Sequence, residues 1–265
     1  MITSNPISDV STFISPLAMQ LYVIAMFILV VGGTILDTIH KKSARYFFEN
    51  AEKSKANRER ELGSGEKVSI AIKTVAEDVL ASGEFCNPRR RLAHLLTMYG
   101  FVIFVVTTVI LVFGYPTAAM TTPTYLPLLW HLGALMVCIG GYWFWFFIRV
   151  DVAAEGYPWY RVVRADLFVL SLLATTTLAL LWSFLQWVNA GGWATLLLFW
   201  LFVTASTVLF GTVLWSKFAH MFFKPAAAFQ RRVAEADGSR DNLPPPADKP
   251  ERFGLGINRE LPRHY

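Results

Sequence analysis

The chain has 265 residues, of which 54% are hydrophobic, 15% aromatic and only 16% charged, with a net charge of +5. In a soluble chain that charge would suggest nucleic-acid binding, but a composition this apolar is typical of a polytopic helical membrane protein, so we expect no nucleic-acid partner. Anionic lipids of the inner leaflet explain the basic charge better. Two cysteines alone cannot form an iron–sulfur cluster or a zinc site.

Five apolar runs, each about 20 residues long, can cross the ~30 Å hydrocarbon core of a bilayer as α-helices. They are residues 17–36, 95–115, 126–148, 167–187 and 193–215. Of the 24 Lys and Arg residues, 12 lie between the first and second runs, 3 between the third and fourth, and 9 after the fifth. Because basic residues stay on the cytoplasmic side, we predict an all-α multi-pass protein with its N-terminus outside and its C-terminus in the cytoplasm.

The runs divide the chain into three parts. Residues 1–16 are a short external N-terminus, because they lack the positive region of a cleavable signal peptide. Residues 17–225 form a five-helix membrane domain that includes a long cytoplasmic loop, 37–94. Residues 226–265 form a cytoplasmic tail that is partly disordered around three consecutive prolines.

The long loop contains an amphipathic segment, residues 66–81, which we predict to be a cytoplasmic helix. One face of it is apolar and consists of Val68, Ile72, Val75 and Val79. An exposed apolar face usually marks contact with lipid or with another protein. We therefore expect a soluble partner to bind here, attracted further by the surrounding basic residues if it is acidic.

Four of the five histidines lie in or beside the apolar runs. His94 precedes the second run and His220 follows the fifth. Histidine is a common haem ligand, and two histidines on facing helices can bind the iron from both sides. We predict one haem b near the cytoplasmic surface with His94 and His220 as axial ligands. His40 is the alternative partner by depth, and the other interpretation is that these histidines lie among lipid headgroups without a ligand.

His131 lies about one turn inside the third run, towards the opposite leaflet. It is either a buried histidine bonded to a neighbouring helix, a quinone-site residue, or a ligand of a second haem. The aromatic run 142–147 is typical of an interfacial belt, with quinone stacking as the alternative. Gly140 and Gly141 permit close helix approach or make room for a bulky ligand.

Two acidic residues, Asp37 and Asp166, lie at the ends of the runs. We expect Asp37 to pair with Lys41, with a proton-carrying role in quinone chemistry as the alternative. Asp166 suits the N-terminal end of the fourth helix. The middles of the runs carry no charged residue, which argues against an ion-coupled transporter.

Three segments, 36–50, 90–100 and 217–221, resemble the membrane anchor proteins associated with dissimilatory adenylylsulfate (APS) reductase in sulfur bacteria. They also resemble the membrane subunit of the quinone-interacting oxidoreductase complex. More distantly, the five-helix plan is similar to the haem-b gamma subunit of nitrate reductase. The resemblance covers most of residues 17–225.

This resemblance implies a non-catalytic subunit in the bacterial inner membrane. It would pass electrons between cytoplasmic APS reductase, a flavin and iron–sulfur enzyme, and the quinone pool through a haem. The chain lacks the cysteine clusters of the quinone-interacting subunit. It has histidines for at most one haem, where the nitrate reductase subunit binds two. A haem-free structural anchor for the same enzyme is the alternative.

Overall fold

The computed structural model describes residues 2–40, 43–83, 85, 87–151, 156–188, 192–213 and 220–239. In these ranges the chain forms helices and no strand, which confirms the all-α prediction. The α-helices are α1 (Pro16–His40), α2 (Ser43–Ala56), α3 (Ser64–Thr74), α4 (Pro88–Gly114), α5 (Tyr125–Trp143), α6 (Leu167–Trp187), α7 (Trp193–Gly211) and α8 (His220–Asp237).

In the described ranges, five helical segments are long and apolar enough to span a membrane, and they coincide with the five predicted runs. They are α1, α4, α5 with a π-helical extension to Ile148, α6 with a short turn from Arg164, and α7. In an apolar window of 18 residues taken from each span, 50% of the window of α5 is buried within the protein, compared with 11% of that of α1. α5 therefore lies inside the bundle, and most of the surface of α1 faces lipid.

The chain divides into two compact units. The membrane unit comprises Met1–Asp37 and Leu92–Ala219, and the second unit comprises Thr38–Arg91 and His220–Tyr265. This division differs from the predicted one, in which the long loop belonged to the membrane domain and a separate tail began at residue 226. That boundary falls inside α8, an amphipathic helix that packs against α3. The disorder predicted for the end of the tail lies outside the described residues.

Spanning helices that follow one another along the chain are also neighbours in space. α5 contacts α6, and α6 contacts α7. α1 lies against α7, because the Tyr22 hydroxyl donates to the carbonyl oxygen of Val203 on α7 at 3.0 Å. The Gln20 amide donates to the carbonyl oxygen of Val112 on α4 at 3.4 Å. Short connections between antiparallel helices favour this arrangement.

α4 and α5 approach each other through glycines. A Cβ atom at Gly100 would lie 2.7 Å from the carbonyl oxygen of Gly133, and one at Gly133 would lie 2.7 Å from the backbone nitrogen of Phe104. A Cβ atom at Gly140 would lie 2.6 Å from the carbonyl oxygen of Ala93. Small residues let membrane helices approach until their backbones touch, so these glycines set the distance between α4 and α5.

The segment before α1 is an integral part of the membrane unit. Val10, in a 3-10 turn, is fully buried. The Asn5 amide donates to the carbonyl oxygen of Tyr115, just past the end of α4, at 3.0 Å. The Gln186 amide near the end of α6 donates to the carbonyl oxygen of Pro6, also at 3.0 Å. The N-terminal segment therefore covers the end of the bundle at which α4 and α6 finish.

Candidate functional site

His131 is buried on α5, and both of its ring nitrogens are hydrogen-bonded. Nδ1 lies 2.7 Å from the carbonyl oxygen of Pro127, and Nε2 lies 2.7 Å from the hydroxyl oxygen of Ser183 on α6. Because a carbonyl oxygen only accepts, we place the ring proton on Nδ1, and Nε2 accepts from Ser183. An iron or a quinone at Nε2 would have to displace Ser183. The geometry favours the first of the three predicted roles, a histidine bonded to a neighbouring helix.

Polar contacts between α5 and α6 continue beyond His131. The Cys138 thiol donates to the Thr176 hydroxyl at 3.4 Å, and the hydroxyl groups of Tyr142 and Thr177 lie 2.8 Å apart. Hydrogen bonds between membrane helices each contribute about 0.6 to 2 kcal/mol to their association. This line of side chains therefore joins the two helices.

Gly141 and the aromatic run 142–147 take part in packing. A Cβ atom at Gly141 would lie 2.6 Å from the Leu173 side chain, so close helix approach is the role that the geometry favours over room for a ligand. Phe146 and Phe147 are exposed, and their predicted place in an interfacial belt stays a prediction. Trp145 turns inwards and is buried. Quinone stacking on this run stays a prediction.

The predicted haem ligands belong to different units. His94 is half-buried in the second turn of α4 and belongs to the membrane unit. His40 is the exposed last residue of α1, and His220 is the first residue of α8 with only its backbone described; both belong to the second unit. The pairing of His94 with His220, and His40 as its alternative, stays a prediction.

No group of three or more His, Cys, Asp or Glu side chains that could hold a metal ion occurs among the residues whose positions are described. This finding concerns metal sites built from several side chains. It does not bear on a haem, because two axial histidines suffice for haem iron.

Arg149 and Asp166 form a buried ion pair in the loop between α5 and α6. Arg149 follows the extension of α5 and is fully buried, and Asp166 directly precedes α6 and is 5% exposed. The guanidinium binds the carboxylate with two contacts, Nη2 to Oδ2 at 2.5 Å and Nε to Oδ1 at 3.3 Å. Asp166 also accepts the backbone N–H of Val163 at 2.8 Å, which closes the short turn before α6, and it balances a cation. Its predicted role as a charge at the N-terminal end of the fourth helix stays a prediction.

The Arg149 guanidinium also fixes the described part of this loop. It donates to the carbonyl oxygen of Pro158 at 3.1 Å and to that of Arg161 at 2.7 Å. Its Cζ atom lies 4.3 Å from the centre of the Trp145 ring and 5.3 Å from that of Tyr157. A buried charge is tolerated only when it is paired and hydrogen-bonded, and this arginine meets both conditions.

In the second unit, Arg232 joins α8 to the end of α3. Its Nε donates to Asp78 Oδ2 and its Nη2 to Glu77 Oε2, both at 2.8 Å. Both carboxylates lie on the π-helical turn Val75–Leu80 that continues α3. The hydrogen bond to Asp78, followed by the one to Glu77, raises the pKa of Arg232 above its ordinary value. Arg232 therefore stays charged at every physiological pH.

The ends of α3 and α8 are tied together by Arg60. Its Nε donates to the carbonyl oxygen of Ala236 at 2.8 Å, and its Nη1 donates to Glu66 Oε1 at 3.0 Å. Glu66 Oε2 accepts the backbone N–H of Gly63 at 3.0 Å, which caps the start of α3. The hydrogen bond from Gly63, together with Arg60, lowers the pKa of Glu66. Segments 176 residues apart in sequence thus form one folded unit.

The predicted apolar face lies on α3, which begins two residues earlier than expected, at Ser64. Val68, Ile72 and Val75 are 58%, 64% and 49% exposed, and these three residues are called the apolar stripe below. Val75 is the first residue of the π-helical turn that continues α3, and Val79, the fourth predicted member, lies further along the same turn and is half-buried. An exposed stripe on a helix that is held from behind is suited to binding a partner.

The sequence interpretation missed the structural roles of Arg149 and Arg232. Both were counted only as basic residues that report topology. A usable signal existed for Arg149: it directly follows a spanning segment and Asp166 directly precedes the next, so a short loop brings the two helix ends together. The pairing of Arg232 with Glu77 and Asp78 had no comparable signal, because 154 residues separate Arg232 from Asp78.

Compared with known proteins, the chain matches no protein family, no curated protein and no solved structure. The resemblance to APS reductase anchors is therefore carried by segments 36–50, 90–100 and 217–221 alone.

Proposed function

We propose that this chain is a membrane anchor that binds a soluble redox enzyme through the apolar stripe of α3. The single observation that carries the proposal is the exposure of Val68, Ile72 and Val75 on a helical segment that also packs against α8. On the basis of the sequence resemblance, the enzyme would be APS reductase and the electron partner would be quinone. The basic-residue side of a bacterial inner membrane would be the binding side.

The stripe has the spacing of a helix that binds in a groove. Its members stand at positions i, i+4 and i+7 and extend over about 10 Å of helix. Behind them Thr74 is 2% exposed, and Arg232 fixes the turn that follows α3. Because the helix is already ordered, binding a partner costs little conformational entropy.

The stripe is tested by replacing Val68 and Val75 together with Asp. Two carboxylates within an apolar contact should weaken binding by about tenfold or more, since residues at the centre of an interface contribute most of its affinity. The measurement is the amount of APS reductase that sediments with membranes containing the variant.

Ser69→Asp combined with Ala76→Asp is the matched control, because both positions are exposed on the same helical segment outside the stripe and the charge change is identical. The control should retain the enzyme. Retention of the enzyme at the wild-type level by the Val68 and Val75 double variant would refute the stripe as the binding surface.

Electron transfer through one haem b is the second part of the proposal. It is supported by the positions of His94, His220 and His40 beside the spanning helices and by the resemblance. A bound haem would supply one-electron transfer between the enzyme and quinone. His131 is not assigned to this haem, because Ser183 and Pro127 occupy its ring nitrogens.

The haem is tested by the dithionite-reduced minus oxidised spectrum of the purified protein. His94→Ala and His220→Ala should each remove the low-spin b-type signal, with the protein still in the membrane. Loss of the signal in His40→Ala but not in His220→Ala would make His40 the partner. A wild-type protein without a Soret band, made with ample haem, would leave the haem-free anchor as the function.

A further inference from the structure

The described part of the loop between α5 and α6 contains a tight turn, Pro158–Arg161. The backbone N–H of Arg161 donates to the carbonyl oxygen of Pro158 at 3.0 Å, which closes the turn. Trp159 and Tyr160 occupy its two central positions. Turns are built mostly from glycine, proline, asparagine, aspartate and serine, because these residues favour the backbone that a turn needs. The two large aromatic residues at the tip therefore serve something other than the turn itself.

The buried Arg149 holds both ends of this turn. Its guanidinium donates to the carbonyl oxygen of Pro158 at 3.1 Å and to that of Arg161 at 2.7 Å. The backbone N–H of Tyr157 donates to the carbonyl oxygen of Arg149 at 3.3 Å, so the residue before the turn is fixed at the same place. Because Arg149 directly follows the extension of α5, the turn is held beside the end of that span.

The two aromatic side chains of the turn are not covered by the protein. Trp159 is 58% exposed and Tyr160 is 71% exposed, and their ring centres lie 5.7 Å apart. An aromatic side chain of this size can bury about 150–250 Å². The indole N–H and the phenol hydroxyl are polar, so the two side chains suit a boundary between apolar and polar surroundings.

Trp159 also continues a row of rings that begins on α5. The rings of Tyr142 and Phe146 stack with their centres 6.1 Å apart, and the ring centre of Phe146 lies 6.4 Å from that of Trp159. Tyr142 and Phe146 are 39% and 46% exposed, and both belong to a segment that can span a membrane. A span meets lipid wherever the protein does not cover it. The row therefore leads from the lipid-contacting surface of α5 to the turn at its end.

We propose that Trp159 and Tyr160 form an anchor that enters the lipid headgroup layer and fixes the depth of this end of the bundle. Trp and Tyr are enriched at membrane–water interfaces, where their amphipathic rings lie at the level of the headgroups. Since Arg149 fixes the turn to the protein, a force on the two rings acts on α5 and α6 together. The partner is the lipid surface, so the anchor requires neither the apolar stripe nor a haem.

The position of the rings is tested with the full chain in phosphatidylcholine nanodiscs without a soluble partner. Both cysteines are replaced with Ser, and a nitroxide is attached at Trp159→Cys or, in a separate variant, at Tyr160→Cys. EPR power saturation compares collisions with oxygen, which enters lipid, and with a water-soluble nickel complex. Lipids that carry the nitroxide on the headgroup or on the acyl chain calibrate the depth.

Both labels should lie between the headgroup and the upper acyl chain, and a label at Phe146→Cys should lie deeper. If both labels lie further into water than the labelled headgroup, the proposal is overturned and a soluble protein is left as the partner of the turn.

The anchoring itself is tested by changing the thickness of the bilayer, with the nitroxide at the exposed position Val162→Cys. When longer lipid chains are exchanged for shorter ones, the label should keep its depth, because the other end of the bundle takes up the mismatch. Trp159→Ser combined with Tyr160→Ser should let the label move towards water. The matched control is Trp187→Ser combined with Trp193→Ser, which removes two exposed rings from the opposite end of α6 and the start of α7 and should leave the label in place.

Trp159→Phe combined with Tyr160→Phe keeps both rings and should keep the depth of the label, which separates a lost anchor from an altered fold. Equal movement of the label in the wild type and in the Ser variant of the turn would overturn the proposal. So would equal movement in the Trp187 and Trp193 control, because any pair of exposed rings would then have the same effect. Movement of the label in the Phe variant as far as in the Ser variant would also overturn it, because the rings would then not be the anchor.

Discussion

Each of the two units depends on an arginine that joins two helices, but the arginines lie in different environments. Arg149 of the membrane unit is fully buried, and its partner Asp166 is almost as inaccessible. Arg232 of the second unit has a side chain that is 18% exposed, and its partner Glu77 is 52% exposed. Around Arg149 the protein itself excludes water, so solvent cannot replace a missing partner and the polar groups must be satisfied within the protein. In the second unit water can partly solvate a charge that has lost its partner. The loss of an ion pair between helices therefore costs less stability there.

The comparison of the two arginines predicts the largest loss of stability when Arg149 is replaced. Replacing it with Met leaves the Asp166 carboxylate buried without its cation, and we expect the free energy of unfolding to fall by about 3–5 kcal/mol. Denaturation by SDS, followed by circular dichroism, measures the loss. Arg149→Met combined with Asp166→Leu should be less destabilised than Arg149→Met alone. An Arg149→Met variant as stable as Arg161→Met, whose side chain is exposed, would contradict a structural role for the buried pair.

A smaller effect is expected where α4 and α5 touch. Gly133→Ala would place a Cβ atom 2.7 Å from the Phe104 nitrogen and 2.8 Å from the Gly100 carbonyl oxygen. Backbone atoms cannot move aside as a flexible side chain would, so we expect a loss of about 1–3 kcal/mol. Gly114→Ala, with no neighbour within 4 Å of its Cβ position, is the control. Equal stability of the two variants in the same SDS titration would show that the helices are not in backbone contact.

Arg232→Ala should cost less, about 1 kcal/mol, because its ion pairs are partly exposed to solvent. We expect amide hydrogens of α8 to exchange faster in this variant than in wild type. The difference should become smaller as salt screens the charges. Asp78→Asn should have a larger effect than Glu77→Gln, because the Asp78 side chain is 14% exposed and that of Glu77 is 52% exposed. Arg231→Ala is the control, since Arg231 pairs with Glu235 on the open surface. A salt-independent change would point to lost packing instead.

The smallest effect concerns the cap of α3. The folded pKa of Glu66 is lowered by the Gly63 N–H and by Arg60, so its contribution is present above the unfolded pKa and is lost as the pH falls through the folded value. We expect the Gly63 amide to lose protection from hydrogen exchange on acidification, as followed by NMR. In Glu66→Gln the protection should be lower and no longer change over that acidic range. A wild-type Gly63 signal that is constant down to strongly acidic pH would contradict the cap.

The spanning helices were predictable because a bilayer imposes both a length and a composition on any helix that crosses it. The helical periodicity also predicted the exposed face of α3 correctly at Val68, Ile72 and Val75. What an amphipathic pattern cannot specify is which partner covers the other face. The contact between α3 and α8 joins segments far apart in the chain, so it could not be read from the sequence.

The candidate site was less predictable than the fold. His131 was identified as a polar residue in an apolar helix, but its role depends on Ser183, 52 residues later, and on the rotation of α6 that brings that hydroxyl within 2.7 Å. The importance of Arg149 was hidden because positive charge at the inner end of a span is expected in any membrane protein. The number of basic residues on each side of the membrane does not reveal which of these residues become buried.

The buried position of Val10 has a consequence for the order of synthesis. The segment that contains Asn5 and Val10 is synthesised before the spans that it contacts, because its partners include Tyr115, at the end of the second span, and Gln186, at the end of the fourth. Its final position therefore cannot exist until four spans have been made and inserted. This segment must therefore wait for the fourth span before it can take its final position. Membrane insertion and completion of the fold are consequently separate events in the life of this protein.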